Sequence, residues 1–138
     1  MPRKPKPTKR LTDLELEIMQ VVWASDGPLT VREVVERLAA RGTREPAYTT
    51  IQTMLNILCK KRVLRSQPGP GRAHEYRPIV SRDEATSSMT REFVERLFGG
   101  EVQPLFAELL GHESLRREEL EELKRLIESQ LDDEEGQE

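Results

Sequence analysis

The chain has 138 residues, a formal net charge of −3, 34% charged residues and 4% aromatic residues. This length suits one domain or two small ones, and the low aromatic content predicts an aliphatic core of modest size. No apolar run approaches the roughly 20 residues of a membrane span, no apolar segment follows the basic start as in a secretory signal, and the single cysteine excludes an internal disulfide framework. We therefore expect a cytoplasmic protein with no direct membrane insertion.

The charge is divided unevenly along the chain. Residues 1–78 hold 15 lysines and arginines against 8 aspartates and glutamates, a net charge of +7, whereas residues 79–138 hold 7 against 17, a net charge of −10. A basic front half suggests a polyanionic partner for that half alone. Residues 1–10 supply five of the cations, and their proline and lysine content predicts a disordered basic arm.

Capping-box patterns mark the starts of three helices, at residues 12–15, 30–33 and 81–84. Apolar residues follow each box at helical spacing. The run Asp26–Pro28 is predicted to end the first helix, and Gly42 is a natural stop for the second. A short turn then leads to a third helix over residues 47–62.

The third helix has two different faces. Ile51, Leu55 and Leu58 recur at helical spacing and form a core stripe. A second face carries short hydrogen-bonding side chains and a cation near its end: Thr49, Thr53, Asn56 and Lys60. Small polar side chains can approach base edges in a DNA major groove, and lysines and arginines meet phosphates. An ordinary amphipathic surface helix would carry a similar pattern, so the flanking segments decide between the two.

After the third helix the apolar period changes to that of strands. Residues 63–67 and 72–77 predict two strands, and Pro68–Gly71 between them predicts a turn. Three helices followed by a hairpin with a basic tip predict a winged helix-turn-helix over residues 11–78. In that fold the second and third helices form the DNA-binding pair.

Residues 79–131 predict a second domain of three helices, so the fold class is mainly α. Gly99–Gly100 and Gly111 are predicted to separate these helices. Because three such helices make only a thin core alone, we expect them to form a homodimer with the same segment of a second chain, although they could instead fold back on the winged helix. The acidic stretch 132–138 is predicted to be disordered. The predicted dimer contacts are Met89, Phe93, Leu97, Phe98, Val102, Leu105, Phe106, Leu109, Leu110, Leu120, Leu123 and Ile127.

Six segments in order resemble one family. They are residues 11–15, 27–34, 47–55, 75–78, 81–85 and 97–100, reading LTDLE, GPLTVREV, AYTTIQTML, EYRP, SRDEA and LFGG. Together they resemble the penicillinase and methicillin-resistance repressor family (BlaI/MecI type), and the resemblance runs from about Leu11 to Leu131. No single motif carries it, which makes it specific.

The resemblance implies a transcriptional repressor that binds a palindromic double-stranded DNA operator as a homodimer. Its third helix would read the major groove, and its wing would meet the DNA backbone. By position, the groove-reading role passes to Thr49, Thr50, Gln52, Thr53 and Asn56, and the wing role to Arg72, Arg65 and His74. The family is typically relieved by cleavage in the C-terminal domain, triggered by a membrane sensor metalloprotease.

Three departures from the family pattern matter. Ile57 stands where many relatives carry arginine, and Arg62 where many carry glycine, which favours a different operator. The positions that match the family's cleaved bond are Glu108 and Leu109 rather than asparagine and phenylalanine, which weighs against the same protease specificity. No cysteine follows Cys59, so the C-terminal Cys-x-Cys copper motif of some relatives is missing.

No residue pattern predicts an enzyme, a cofactor or a metal site. His74 and His112 lack a second histidine or cysteine at ligand spacing, and no nucleophile, base and orienting group come together. We expect Cys59 to act as a small buried hydrophobe rather than as a redox sensor. A metal- or ligand-sensing winged helix and a protein-interaction winged helix remain as alternatives to the operator-binding repressor.

Overall fold

The computed structural model describes residues 10–42, 46–112 and 114–136. Within these ranges it contains six helices and one three-stranded antiparallel sheet, which confirms the mainly α winged-helix prediction. No helix in the described part is long and apolar enough to cross a membrane. Of the predicted basic arm, only Arg10 lies inside the described residues. The elements are α1 (Asp13–Trp23), β1 (Leu29–Thr30), α2 (Val31–Ala40), α3 (Tyr48–Lys60), β2 (Leu64–Pro68), β3 (His74–Pro78), α4 (Arg82–Phe98), α5 (Val102–His112) and α6 (Arg117–Gly136).

The helix starts follow the predicted capping boxes. At α1 the hydroxyl of Thr12 accepts from the Glu15 amide at 3.3 Å, and the Glu15 carboxylate accepts from the Thr12 amide at 2.8 Å. Equivalent reciprocal pairs open α2 at residues 30–33 and α4 at residues 81–84. Each pair satisfies two backbone donors that the helix leaves without a partner.

The sheet has the order β1–β3–β2. The hairpin of β2 and β3 was predicted, but β1 was not. It pairs Leu29 with Tyr76 and Thr30 with Glu75 on the free edge of β3. Two residues are too few to show the alternation that identifies a strand in a sequence.

One apolar core joins α1, α2 and α3 to the sheet. Ile18, Val34, Ile51, Leu55 and Leu58 have no exposed surface, and Tyr76 closes the core from β3. The predicted core stripe of the third helix is therefore confirmed. Burial of these side chains against one another is the main source of stability for short helices that would be marginal alone.

The end of α3 is a Schellman motif. The amide of Val63 donates to the Leu58 carbonyl, and the amide of Arg62 donates to the Cys59 carbonyl, both at 3.0 Å. Arg62 adopts a φ of 63°, a left-handed conformation that favours glycine. Val63 is fully buried behind it and leads the chain into β2.

Two compact units divide the molecule, and the boundary differs from the predicted one at residues 78 and 79. The first unit ends at Phe93 and the second begins at Val94, inside α4. Val80 and Ala85 belong to the winged-helix core, and the Trp23 indole donates to the Val80 carbonyl at 2.9 Å. Met89, which was predicted as a dimer contact, is half-buried and packs against the same core. The predicted boundary followed the end of the last strand at Pro78. The apolar core continues past that strand into the start of α4, so the end of the strand does not mark the end of the unit.

The second unit has no closed core. None of the residues described in α5 and α6 is buried, and the two helices leave an open apolar groove between them. This α5–α6 groove is lined by Phe106, Leu110, Leu120, Leu123, Lys124, Ile127 and Glu128.

Two predicted ends in the second unit were wrong. Gly111 does not end α5, which continues to His112, and α6 runs to Gly136 through four of the acidic residues predicted to be disordered. No glycine or proline interrupts the sequence between Arg117 and Gly136, and glutamate is a good helix former. Residues 137–138 lie outside the described part. Gly99 and Gly100 do separate α4 from α5, with φ values of 62° and 86°.

Candidate nucleic-acid interface

The polar face of α3 is exposed along its whole length. The six residues that the sequence assigned to DNA on this helix all have exposed side chains, while the core stripe between them is fully buried: Thr49, Thr50, Gln52, Thr53, Asn56 and Lys60. Thr49, Thr53, Asn56 and Lys60 lie in one row along the helix, and Thr50 and Gln52 flank that row on either side. The face therefore presents hydroxyls, amides and a terminal ammonium. These groups can donate and accept hydrogen bonds at a groove without disturbing the core.

The first turn of α3 carries no side-chain cap. Its N-cap residue is Ala47, and no side chain in the described part of the chain accepts a hydrogen bond from the helix start. This contrasts with α1, α2 and α4, which all have capping boxes. Backbone donors at the start of α3 therefore remain available to an external acceptor, and the helix dipole favours an anionic one. Tyr48, the first helical residue, is 48% exposed beside them, and sequence periodicity did not single it out.

The three cations at the end of α3 are not equivalent. The Lys61 ammonium lies 2.8 Å from the Glu15 carboxylate and donates to the Arg10 carbonyl at 3.1 Å. Lys60 and Arg62 are exposed and form no ion pair within the described ranges. Lys61 thus joins α3 to α1, whereas its two neighbours remain available to a ligand.

Glu15 is the only charged residue buried in the described core, with 1% of its surface exposed. Burial by itself would raise the pKa of this carboxyl, but hydrogen bonds from Lys61 and Thr12 hold the pKa below its ordinary value. The second carboxylate oxygen has no hydrogen-bond partner among the described residues. Sequence analysis explained Glu15 as a capping residue and missed its ion pair, because no local pattern connects positions 46 residues apart.

The wing places Arg72 and His74 in exposed positions near the hairpin tip. The amide of Gly69 donates to the Ala73 carbonyl at 2.9 Å and closes the loop, and Gly71 supports it with a φ of 71°. A Cβ at Gly69 would lie 2.5 Å from the Glu75 side chain, so this tip tolerates only glycine without rearrangement.

Arg65 lies apart from the tip. It stands directly opposite Arg77 in the β2–β3 register, and both side chains line a shallow groove with the loop Ser25–Pro28. Arg77 was not among the predicted site residues. The strand register brings the two arginines together, and like charges in such a pair repel each other.

Cys59 and the histidines show no catalytic arrangement. Burial raises the pKa of the half-buried Cys59 thiol, which lowers its fraction of nucleophilic thiolate. His112 lies 3.5 Å from Glu108 on the exposed surface of α5. No three acidic, histidine or cysteine residues in the described part come together as a metal site.

The predicted dimer residues of the second unit are mostly on its surface. Phe98, Leu105 and Leu123 are half-buried, and the others are exposed: Leu97, Val102, Phe106, Leu109, Leu110, Leu120 and Ile127. Phe93 is 49% exposed but falls in the first unit. The candidate cleavage residues Glu108 and Leu109 lie exposed on α5, inside a helix.

Comparison with known proteins identifies the same family that the sequence resembles. The Penicillinase repressor family model matches residues 11–129. The transcriptional regulator BlaI of Mycobacterium tuberculosis is 44% identical over 80 residues, which cover 58% of this chain and 56% of that protein. The chain thus matches about half the length of this relative. A penicillinase repressor of Bacillus licheniformis is 30% identical over 123 residues, covering 89% of this chain and 93% of that protein.

Among solved structures, the chain is similar to the solution structure of the Bacillus licheniformis BlaI monomeric form in complex with the blaP half-operator. The sequence identity is 33%, the TM-score is 0.45, and the match covers 55% of this chain and 88% of that one. The family model spans most of the chain, including the first unit from Leu11 onwards, all of α5 and the part of α6 that lines the α5–α6 groove. The chain belongs to the penicillinase repressor family.

Proposed function

We propose that this protein is a transcriptional repressor that binds a palindromic operator as a homodimer, with α3 in the major groove. The observation that carries the proposal is the division of α3 into a fully buried stripe and an exposed polar row, with available cations at its end. A helix held rigidly on one side can present the other side to base edges in a reproducible geometry.

Each group on the exposed face of α3 has a role that its chemistry suits. Gln52 and Asn56 carry amides that can bind adenine through two hydrogen bonds, and Thr49 and Thr53 offer a hydroxyl together with a methyl that suits the thymine methyl. Lys60 and the wing residue Arg72 act on phosphates, where they supply affinity rather than sequence preference.

The homodimer would form through the second unit. The α5–α6 groove is apolar, and the exposed fractions of Leu110 and Ile127 are 53% and 54%. Soluble proteins seldom leave contiguous apolar surface of this kind uncovered. A second copy offers a self-complementary surface, and twofold symmetry then matches a palindromic operator.

Release of repression would follow cleavage near Glu108–Leu109 by a protease under the control of a membrane sensor. The bond lies within α5, so α5 has to unwind before it can enter a protease cleft. Gly99 and Gly100 immediately before the helix weaken its support on that side. Cleavage would detach α6, which supplies Leu120, Leu123 and Ile127 to the groove, and the dimer would dissociate by mass action.

Competition binding tests the base-reading role. Footprinting upstream of the protein's own gene supplies the operator, and affinity is measured for operator and random duplexes of equal length. Asn56→Ala should lower the operator-to-random affinity ratio roughly 10- to 100-fold, since one base contact contributes about 1–3 kcal/mol. Gln130→Ala on the exposed surface of α6 removes a similar amide and should leave the ratio unchanged. An unchanged ratio for Asn56→Ala would remove this residue from the interface.

A further inference from the structure

Arg65 and Arg77 face each other across the β2–β3 hairpin, on the side of the sheet that is turned to solvent. They are direct partners in the strand register, and both are exposed. Their neighbours Leu64 and Tyr76 are buried in the core, so the alternation of a strand places the two arginines on the opposite face. Directly opposite residues have Cβ atoms about 5 Å apart, so the two guanidinium groups can reach a single ligand.

The two arginines have no counter-charge at this place. Neither forms an ion pair with any carboxylate of the described residues. Glu75 lies on the same face of β3, two residues before Arg77, but its side chain packs at the hairpin tip, where a Cβ added at Gly69 would lie 2.5 Å from it. Because like charges directly opposite each other destabilise a sheet, an anion bound between the arginines would remove a repulsion.

A loop between α1 and β1 forms a groove beside the pair. Arg65, Arg77 and the loop Ser25–Pro28 lie around a space of about 370 Å³. One water occupies about 30 Å³, so the groove has room for a phosphate group and several waters. The Ser25 hydroxyl donates to the Gly27 carbonyl at 2.7 Å and accepts from the Gly27 amide at 3.3 Å, which holds the loop in place before a ligand binds.

We propose that Arg65 and Arg77 together bind one phosphate group in this groove. A guanidinium presents a planar pair of donors that matches two phosphate oxygens, and two guanidinium groups can hold the same phosphate from opposite sides. Asp26 also lines the groove, and two arginines against one aspartate leave a net charge of +1, so Asp26 weakens the binding without reversing it.

The phosphate belongs either to the DNA backbone or to a free phosphorylated small molecule. Binding to the backbone rests on the proposed function, because it requires a duplex beside the hairpin. Binding of a free phosphate does not. The experiment therefore has one part for each source, and both parts use R65Q, R77Q and the double variant R65Q/R77Q.

The first part measures affinity for operator and random duplexes across a series of salt concentrations. Each neutralised phosphate contributes about 0.9 to the slope of log affinity against log salt, so the double variant should lose about 0.9 per protomer on both duplexes. Two separate phosphates would instead give a loss of about 1.8. Because both arginines hold the same phosphate, each single variant should lose nearly as much affinity as the double variant.

The second part titrates inorganic phosphate against chloride at constant ionic strength and follows melting through the fluorescence of Trp23. Phosphate raises the melting temperature of proteins in general because it is excluded from their surface, and the double variant supplies that baseline. Specific binding adds a further rise in the unmodified chain. Asp26→Asn should enlarge this additional rise, because it removes a negative charge from the groove. In chloride alone the double variant should melt no earlier than the unmodified chain, since it removes like charges that repel.

A matched control separates the groove from overall charge. R96Q/R125Q removes the same number of charges from exposed positions of the second unit. It should keep both the salt slope and the phosphate-dependent rise of the unmodified chain.

Each outcome gives a decision. A slope loss of about 0.9 assigns the phosphate to the DNA backbone, and an unchanged slope with an additional phosphate-dependent rise assigns it to a free ligand. The proposal is overturned if the double variant matches the unmodified chain in both parts, if its slope falls by about 1.8 with independent effects of the two arginines, or if the control behaves like the double variant. Failure of the proposed function looks different, because the unmodified chain would then not distinguish operator from random DNA.

Discussion

The two units of this protein use the same helical periodicity but complete their cores differently. In the first unit, Ile18, Ile51 and Leu55 have no exposed surface. In the second, Leu97 and Leu126 are each 64% exposed, and no residue described in α5 or α6 is buried. An apolar stripe therefore predicts that a helix needs a partner, but not whether the partner lies in the same chain.

Replacing one leucine in each unit with alanine tests this difference between the two units most directly. Leu55→Ala should lower the free energy of unfolding by about 2–5 kcal/mol, because it leaves a cavity in a closed core. Leu126→Ala, at a 64% exposed position on α6, should change it by less than about 0.5 kcal/mol. Urea denaturation followed by the fluorescence of Trp23 reports on the first unit. Equal losses for the two variants would contradict the contrast.

The same difference between buried and exposed positions applies to the charged side chains of the first unit. Lys61→Met should destabilise the first unit by about 3 kcal/mol, because Glu15 would remain buried without its cation. Lys60→Met changes an exposed neighbour and should cost less than about 0.5 kcal/mol. Urea denaturation of both variants at neutral pH gives the comparison, and a loss no larger for Lys61 than for Lys60 would show that the pair is not structural.

The same pair makes stability depend on pH. The pKa of Glu15 is lower in the folded protein than in the unfolded chain, so the unfolded chain binds the proton more readily. The contribution of the pair is complete above the ordinary carboxyl pKa and is lost as the pH falls through the lowered one. In Lys61→Met this acid-side loss should shrink, which a series of urea titrations between neutral and acidic pH would detect.

The smallest effect should come from Arg62. Arg62→Gly removes the strain of a left-handed arginine but increases the entropy of the unfolded chain, so we expect a net gain of roughly 0.5–1 kcal/mol. Arg41→Gly, at a C-cap with ordinary right-handed angles, should instead lose stability. Thermal denaturation of the two variants distinguishes these signs, and a loss for Arg62→Gly would argue against strain at this position.

Sequence reasoning succeeded where the information was local. The two faces of α3, the capping boxes and the β2–β3 hairpin all follow from spacing within a dozen residues, and each is present in the structure. It failed where a distant contact decides the outcome. The role of Lys61 depends on Glu15, and the position of Arg65 depends on its register with Arg77.

The domain boundary shows the same limit. A change from strand to helix at Pro78 suggested a new domain, but the burial of Val80 and Ala85 keeps the start of α4 in the first core. Acidic composition likewise suggested disorder after Leu131, where an uninterrupted helix continues to Gly136. The composition of a segment alone therefore did not predict its structure. Packing against the core determined the boundary of the first unit, and the uninterrupted helical sequence determined where α6 ends.

The central claim is that the first unit reads DNA while the second joins two copies, and the variant Leu123→Glu/Ile127→Glu tests it most directly. Both positions lie in the α5–α6 groove, where the two carboxylates introduced on each copy would oppose association. Sedimentation should show a monomer, affinity for a single half-site should be unchanged, and affinity for the full operator should fall roughly 100-fold or more as the linkage is lost. A variant that remained dimeric, or a monomer that bound the full operator as tightly as the unmodified chain, would contradict the account.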